Sequence, residues 1–368
     1  MRRMVLVVLA AAFVCTRTDF TPAASAAEKS DQCRYRDGRP AAKLRLAATD
    51  QGIVLRHGDS PQRCDIYGAR DTFVFQAGGL YYMYYDAAGP TGMMAAAATS
   101  SDLIHWKKTG LVLELGKPGE SDSASAAFAT IYHDGATWHM FYLGATHNAT
   151  PPPEPTPAFP YQTMKARAAS PAGPWTKHPG VIPFQSKPGT YYAAEALPGQ
   201  IVQKDGEYRM FICTATDHPL RRCLSIARTK NLDGPWTIDP QPIVPPTEQV
   251  ETSSLYFEPA NQTWFLFTDH IAAAPDEFEY TDAIWVYWSK DLDHWNVNHK
   301  AVVLDGTNCS WSKNIVGMPS VIKVGNRLAV FYDGSTEAKL VHGVKSHMNR
   351  DIGFAWLRLP LTPPAKDR

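Results

Sequence analysis

Three carboxylates stand at or just before predicted strand starts: Asp71 in Ala69-Arg70-Asp71-Thr72-Phe73, Glu195 in Ala194-Glu195-Ala196-Leu197-Pro198, and Glu251 in Val250-Glu251-Thr252-Ser253-Ser254. Convergent carboxyl groups are what cleavage of a glycosidic bond requires. One is protonated and gives its proton to the leaving oxygen; the other is ionised and activates water or attacks the anomeric carbon. Two that approach each other also raise one another's pKa by like-charge repulsion. Arg70 beside Asp71 would hold a base in its ionised form if its side chain turns inward. A single Asp before a strand is ordinarily a cap or turn residue, and a single Glu there is ordinarily solvated. Occurrence at equivalent points of three repeats marks these residues as candidate catalytic groups: Asp71 as base or nucleophile, Glu195 as acid, and Glu251 as a third carboxylate that tunes a pKa or binds a hydroxyl.

The repeats are visible in a recurrent turn. Ser100-Ser101-Asp102-Leu103-Ile104-His105-Trp106 returns as Ser289-Lys290-Asp291-Leu292-Asp293-His294-Trp295, with weaker copies ending at Trp175 and Trp236. The four tryptophans fall about 60 to 70 residues apart, the signature of an array of similar units. Because it repeats, this Asp-His-Trp turn reads as structural, with His105 and His294 at an outer rim. Aromatic-rich segments repeat in phase with it: Tyr81–Tyr85, Trp138–Tyr142, Tyr208–Ile212, Trp264–Thr268 and Leu328–Tyr332. Each follows a short strand and a Gly- or Asp-containing turn. Five units of about four strands predict an all-β chain, a five-bladed β-propeller, with a β-sandwich as the alternative that explains the period less well. The fifth unit lacks the Trp turn, so a strand from residues 43–56 is expected to close the ring and remove the free sheet edges. The expected boundaries are 1–26, a leader; 27–65, an arm with the closing strand; and 66–368, the propeller.

Strands alternate in direction, so inner-strand starts and second-to-third-strand loops share one face. The expected long loops are 145–161, with its Pro151-Pro152-Pro153-Glu154-Pro155 run as a stiff wall, 215–222, 269–282 and 334–350. Loops gathered on one face of a rigid scaffold commonly carry function. His147, His218, His270, His342 and His347 fall in or next to them and are candidates to bind a sugar hydroxyl, act as an acid or hold water or a metal. Unit two offers Asp122, a few residues early, and unit five offers no carboxylate. Tyr191, Tyr192 and Trp311 are candidates to stack on a sugar ring, with packing between units as the competing role. No zinc-ligand spacing, nucleophile elbow, phosphate loop or dinucleotide fingerprint is present. No metal ligand set is assigned; no cofactor is expected to be required, a calcium or other cation on the axis being the one conceivable addition.

The 368 residues carry a formal net charge of +0, which provides no electrostatic case for nucleic acid or an acidic membrane surface. Met1-Arg2-Arg3-Met4, an apolar stretch to Val14 and Ala24-Ser25-Ala26 read as a secretory signal, so a secreted or periplasmic protein without a membrane anchor is expected. Export permits disulfides. Cys213 and Cys223 flank a turn and are positioned to pair, as are Cys33 and Cys64, leaving Cys309 odd; isolated buried thiols are the alternative.

Arg70-Asp71-Thr72-Phe73-Val74 with Gly78-Gly79-Leu80-Tyr81-Tyr82 resembles the opening blade of the five-bladed propeller glycosidases, glycoside hydrolase families 43, 32, 62, 117 and 130. Ser101-Asp102-Leu103-Ile104-His105-Trp106 is similar to their blade ending. The resemblance spans about residues 66–360. It implies hydrolysis of a plant or algal poly- or oligosaccharide, with a furanoside such as an arabinofuranoside or an anhydro-sugar favoured. Asp71 matches the base Asp of family 43, and Glu195 lies in the blade of its acid Glu but in a Glu-Ala-Leu-Pro setting. Its second-blade Asp is replaced here by Ala127-Phe128-Ala129, so Asp122 or Glu251 would have to substitute. A phosphorylase using Arg221 and Arg222, and a carbohydrate-binding propeller without catalysis, are the competing expectations.

Overall fold

The computed structural model describes residues 42–149, 156–272, 280–336, 340–341, 344–345 and 348–365. All belong to the compact unit Arg34–Arg368. These residues form strands and turns, with a single 3-10 turn at Pro61–Arg63 and no α-helix among them.

Unit one comprises Gly68–Ala77, Leu80–Gly89, Gly92–Ser100 and Lys107–Leu111. Unit two comprises Ser125–His133, Trp138–Ala145, Gln162–Ala168 and Thr176–Lys177. In unit three the inner strand is broken into Glu195–Leu197 and Ile201–Lys204, followed by Glu207–Thr216, Arg221–Thr229 and Thr237–Ile238. Unit four is Val250–Glu258, Thr263–Ala272, Tyr280–Ser289 and Lys300–Asp305. Unit five is Val316–Val324, Arg327–Gly334 and Asp351–Arg358, and its fourth strand is Thr49–Leu55, antiparallel to Asp351–Arg358. Leu44–Arg45 adds a parallel edge to Lys300–Asp305.

Two devices join neighbouring units, each at some of the junctions. At the rim, the tryptophan of the repeated turn packs edge-on against a second-strand aromatic of the preceding unit: Trp175 on Tyr84 at 6.1 Å, Trp236 on Phe141 at 5.6 Å, Trp295 on Phe211 at 6.2 Å, and Trp106 on Phe331 at 5.7 Å. Such edge-to-face pairs contribute about 0.5–1.5 kcal/mol beyond the area they bury. The turn presents the ring by local bonding: Asp102 Oδ1 accepts from the Ile104 and His105 amides, and Trp106 Nε1 donates to Leu103 O at 2.8 Å. Asp291 and Trp295 repeat this.

Near the axis the second device is a β-bulge, in which the inner strand advances three residues while its partner advances two. Arg70 pairs with Asp86 and then Phe73 with Tyr84; Ala127 with Leu143 and then Thr130 with Phe141; Glu251 with Asp269 and then Ser254 with Phe267; Gly317 with Asp333 and then Ser320 with Phe331. The residues following the first member of each pair, Asp71, Phe128, Thr252 and Met318, all have left-handed backbones, with φ of 52, 53, 56 and 53°. Three bulge amides then donate to the preceding unit's ladder residue: Asp71 N to Asp333 Oδ2 at 3.1 Å, Phe128 N to Asp86 Oδ1 at 2.6 Å, and Thr252 N to Cys213 Sγ at 2.9 Å. Between units two and three both halves are missing together. Leu143 has no acceptor, and the matching residue of unit three is Pro198, which has no N–H.

Two expectations are corrected by register. Cys213 pairs with Leu224 and Thr214 with Cys223, so the two cysteines stand one residue apart along the ladder on opposite faces; they are free buried thiols, as are Cys64 and Cys309. Cys33 lies outside the described residues. The segment 215–222 is also not a long loop, because its strands stay paired to Thr216↔Arg221.

Candidate active site

The same register shows that Asp71, Glu195 and Glu251 are not at equivalent points. Asp71 is itself the bulge residue of unit one, and Glu251 is one residue before the bulge of unit four. Leu197 occupies the Glu251 position in unit three, since it pairs with Cys213 as Glu251 pairs with Asp269. Glu195 is two residues earlier. The two-residue period of a strand keeps it on the same face but moves it about 7 Å toward the loops.

The stagger nevertheless brings these groups together around two guanidinium groups. Arg70 Nε donates to Asp71 Oδ2 at 2.5 Å, so the side chain turns toward its neighbour. Arg222 links the other two: its Nη1 is 3.7 Å from Glu195 Oε2 and its Nε 3.3 Å from Glu251 Oε2. A ladder row accounts for the reach, since Glu195 pairs with Ala215 and Ala215 with Arg222. The small Ala215 lets the arginine lie back across the middle strand. Arg222 N donates to Gln249 Oε1 at 2.6 Å, and its guanidinium lies 5.7 Å from the Phe159 ring. Tyr161 donates its hydroxyl to Pro157 O at 2.8 Å and its amide to Ala194 O at 3.1 Å, so part of the expected wall, residues 156–161, lies against the start of the unit-three inner strand. Glu195 is fully buried, whereas the side chains of Glu251, Arg70 and Arg222 retain 9, 12 and 11% exposure. Burial pushes the Tyr161 hydroxyl above its usual range, and Arg222, Glu195, Glu251 and Arg70 all act on it; units one, three and four therefore share one charged centre.

Three further carboxylates, Asp86, Asp269 and Asp333, lie on the second strands at the ladder positions opposite Arg70, Glu251 and Gly317. Burial first, and then the charge on Asp71, push the Asp86 carboxyl well above the ordinary range, against the pull of the Phe128 amide and Arg70. Burial and then Glu251 raise Asp269. Burial raises Asp333 as well, although Arg350 Nη1 donates to its Oδ1 at 2.7 Å. Burial pulls on the Arg70 guanidinium, but Asp71, Asp333 and Glu251 outweigh it and hold the proton more firmly. These three acids were detectable in the sequence: each directly follows one of the aligned aromatic strands, in Tyr85-Asp86, Thr268-Asp269 and Tyr332-Asp333. Two of them are the amide acceptors described above. Among the described residues no three His, Cys, Asp or Glu side chains are grouped to hold a metal ion. Guanidinium groups supply positive charge at this centre.

The other candidates have the following partners. Asp122 is bound by Lys177 Nζ at 2.6 Å and Tyr142 Oη at 2.9 Å. His147 is exposed beside Thr146 Oγ1, and the His218 side chain is exposed beside Asp217. His270 is buried in unit four, with Nδ1 2.6 Å from Asp282 Oδ1 and its ring stacked on Trp285. Tyr192 packs against Tyr191, whose hydroxyl donates to Asp239 O, and Trp311 stacks on Tyr332. Arg221 is exposed and its Nη1 donates to Leu220 O. His342 and His347 lie outside the described residues.

The glycosyl hydrolases family 32 N-terminal domain matches residues 72–252, which runs from within the first strand of unit one through units two and three to the opening of unit four. No curated protein sequence matches the chain. Among solved structures, Zg3597, a family 117 glycoside hydrolase produced by the marine bacterium Zobellia galactanivorans, superposes with a TM-score of 0.61 at 16% identity, over 88% of this chain and 96% of that one. The catalytic domain of the Coprinopsis cinerea GH62 α-L-arabinofuranosidase gives 0.59 at 13% identity, over 85% and 98%. A thermostable family-43 glycoside hydrolase gives 0.55 at 14%, over 82% and 97%. The family match and the shared propeller fold define the class of protein: a glycoside hydrolase. The resemblance read from Arg70–Val74 and the Ser-Asp-Leu-Ile-His-Trp turn agrees with that class.

Proposed function

We propose that this chain is an exported enzyme that hydrolyses a glycosidic bond in a plant or algal poly- or oligosaccharide, with a furanoside such as an arabinofuranoside, or an anhydro-sugar, at the cleaved position. The five units are read as the blades of a propeller closed by Thr49–Leu55. The observation that carries the proposal is the convergence of Asp71, Glu195 and Glu251 from three units on the arginines Arg70 and Arg222. Similarity to a family 117 enzyme and to an arabinofuranosidase supports the substrate class.

In this reading Asp71, in ion-pair contact with Arg70, is the base or nucleophile. Glu195, which is fully buried, gives its proton to the leaving oxygen. Glu251 is the third carboxylate. A panel of aryl furanosides and of arabinan, agarose and related polysaccharides tests it: reducing sugar is released by the wild type and not by Asp71→Asn or Glu195→Gln. Tight glycan binding without release would favour the binding-only reading. One observation speaks for that alternative: the unit-two position is Phe128, whose amide is committed to Asp86. Release that depends on inorganic phosphate would instead indicate a phosphorylase.

A further inference from the structure

We propose that Arg222 is a positioning residue divided between two carboxylates, and that Glu251 acts by drawing its guanidinium away from Glu195. The inference rests on Glu195 being the acid. An acid with an undivided arginine beside it would lose its proton too readily, because a nearby positive charge favours the carboxylate. Here the arginine is closer to Glu251, at 3.3 Å through Nε, than to Glu195, at 3.7 Å through Nη1. Its position is set by contacts other than Glu195: the Arg222 amide is tied to Gln249, two residues before Glu251, and the Phe159 ring covers its outer face. Glu251 is itself fixed in place, since Thr268 Oγ1 donates to its carbonyl and its ladder partner is Asp269. The proposal gives unit four the role that the replaced unit-two carboxylate would otherwise fill, through an arginine rather than by direct contact.

Among the described residues, the titratable and charged groups around this trio include Tyr161, Cys213, Cys223, Asp269 and Arg70, the last paired with Asp71. Burial raises the Cys223 thiol to about 12 and Cys213 and Tyr161 upward as well, so these three are neutral across the working range. Arg70 is a cation throughout. Asp269, raised by burial and then by Glu251, is a neighbour whose charge can change with that of Glu251.

The test compares pH profiles of kcat/KM on two substrates of one sugar: 4-nitrophenyl α-L-arabinofuranoside, whose leaving group needs little proton assistance, and the methyl furanoside, whose leaving group needs it. The corresponding pair is used for whichever sugar the substrate panel selects. Because the protonated acid is the active form, rate falls as pH rises through its pKa. In Glu251→Gln the guanidinium turns to Glu195, so the alkaline limb on the methyl furanoside moves down by about one pH unit, roughly a tenfold loss above the limb. The 4-nitrophenyl substrate changes by no more than about threefold. In an Arg222→Gln background the same Glu251→Gln change moves the limb by less than a third as much, because the intermediary is gone. Equal losses on both substrates with an unmoved limb, or an unreduced shift without Arg222, would overturn the proposal. Glu195→Gln separates this from failure of the underlying reading: if it impairs both substrates alike, Glu195 is not the acid and the function itself is misassigned. Unchanged near-UV circular dichroism establishes that each variant is folded.

Discussion

The rim turns and the axial cluster use similar charged residue types to opposite ends. At the rim, Asp102 accepts two backbone amides, and His105 Nδ1 lies 2.7 Å from its second oxygen; both side chains are largely in water, at 45 and 86% exposure. The His105 contact and these amides hold the Asp102 carboxyl below its usual range. At the axis, Asp86, Asp269 and Asp333 are buried, and their pKa values move up instead. An Asp beside a His is therefore not by itself a site. Solvent stabilises either charge state at the rim, so the turn spends its hydrogen bonds on shape. At the axis burial makes each ionisation costly, and carboxylates within reach of one another settle into different protonation states, the condition that acid–base chemistry needs.

The largest effect that sharpens this contrast is catalytic. Asp71→Asn and Glu195→Gln are each expected to lower kcat on an unactivated glycoside by about a thousandfold, the usual range for removing a general acid or base, while His105→Ala leaves steady-state kinetics unchanged. Next comes the unit-to-unit device. Asp86→Ala leaves the buried Phe128 amide without its acceptor and should cost about 2–3 kcal/mol in urea unfolding; Asp86→Asn keeps an acceptor, removes the repulsion with Asp71 and should cost less than half as much. Equal losses for Ala and Asn would show that charge rather than the amide contact matters.

A pH effect on stability follows for Asp269. Its folded pKa lies above its unfolded one, so its burial is tolerated at low pH and destabilises as pH rises from the ordinary Asp range through the folded pKa. Asp269→Asn should therefore raise the melting temperature more at pH 8 than at pH 4.5, and a gain that does not change with pH would contradict the shift. The smallest effect belongs to the rim. Asp102 has a lowered pKa, so its contribution is present above the ordinary Asp range and fades as pH falls below it; Asp102→Asn should shift the melting temperature by only about a degree at pH 7. A larger or catalytic effect there would break the distinction between rim and axis.

Much of the architecture was legible because repeats are a one-dimensional signal. The tryptophan turn marked the units, and its physical reason is the edge-on contact that each ring makes with the preceding unit. Within the expected segment 43–56, Thr49–Leu55 pairs with Asp351–Arg358 as the fourth strand of unit five, the unit that lacks a Trp turn. Asp86, Asp269 and Asp333 were within reach, one column past the aligned aromatics, but an Asp at a strand end looks like a turn residue until its burial is known. The Cys213–Cys223 pairing failed because spacing around a turn does not reveal which side of the ladder each residue faces.

The amino-acid order alone determined the period, the strands and which segments would begin the inner strands, since these follow from alternation, turn residues and local hydrogen bonding. Only the tertiary structure decided the chemistry of the centre. It placed Glu195 two residues out of step with the Glu251 position, laid Arg222 across Ala215 to meet both carboxylates, and put Asp71 on a left-handed bulge beside Arg70. Those relations depend on bulges, on register between strands far apart in the chain, and on the burial that their packing imposes. Charge states are set by that three-dimensional surrounding, and a sequence carries it only after folding.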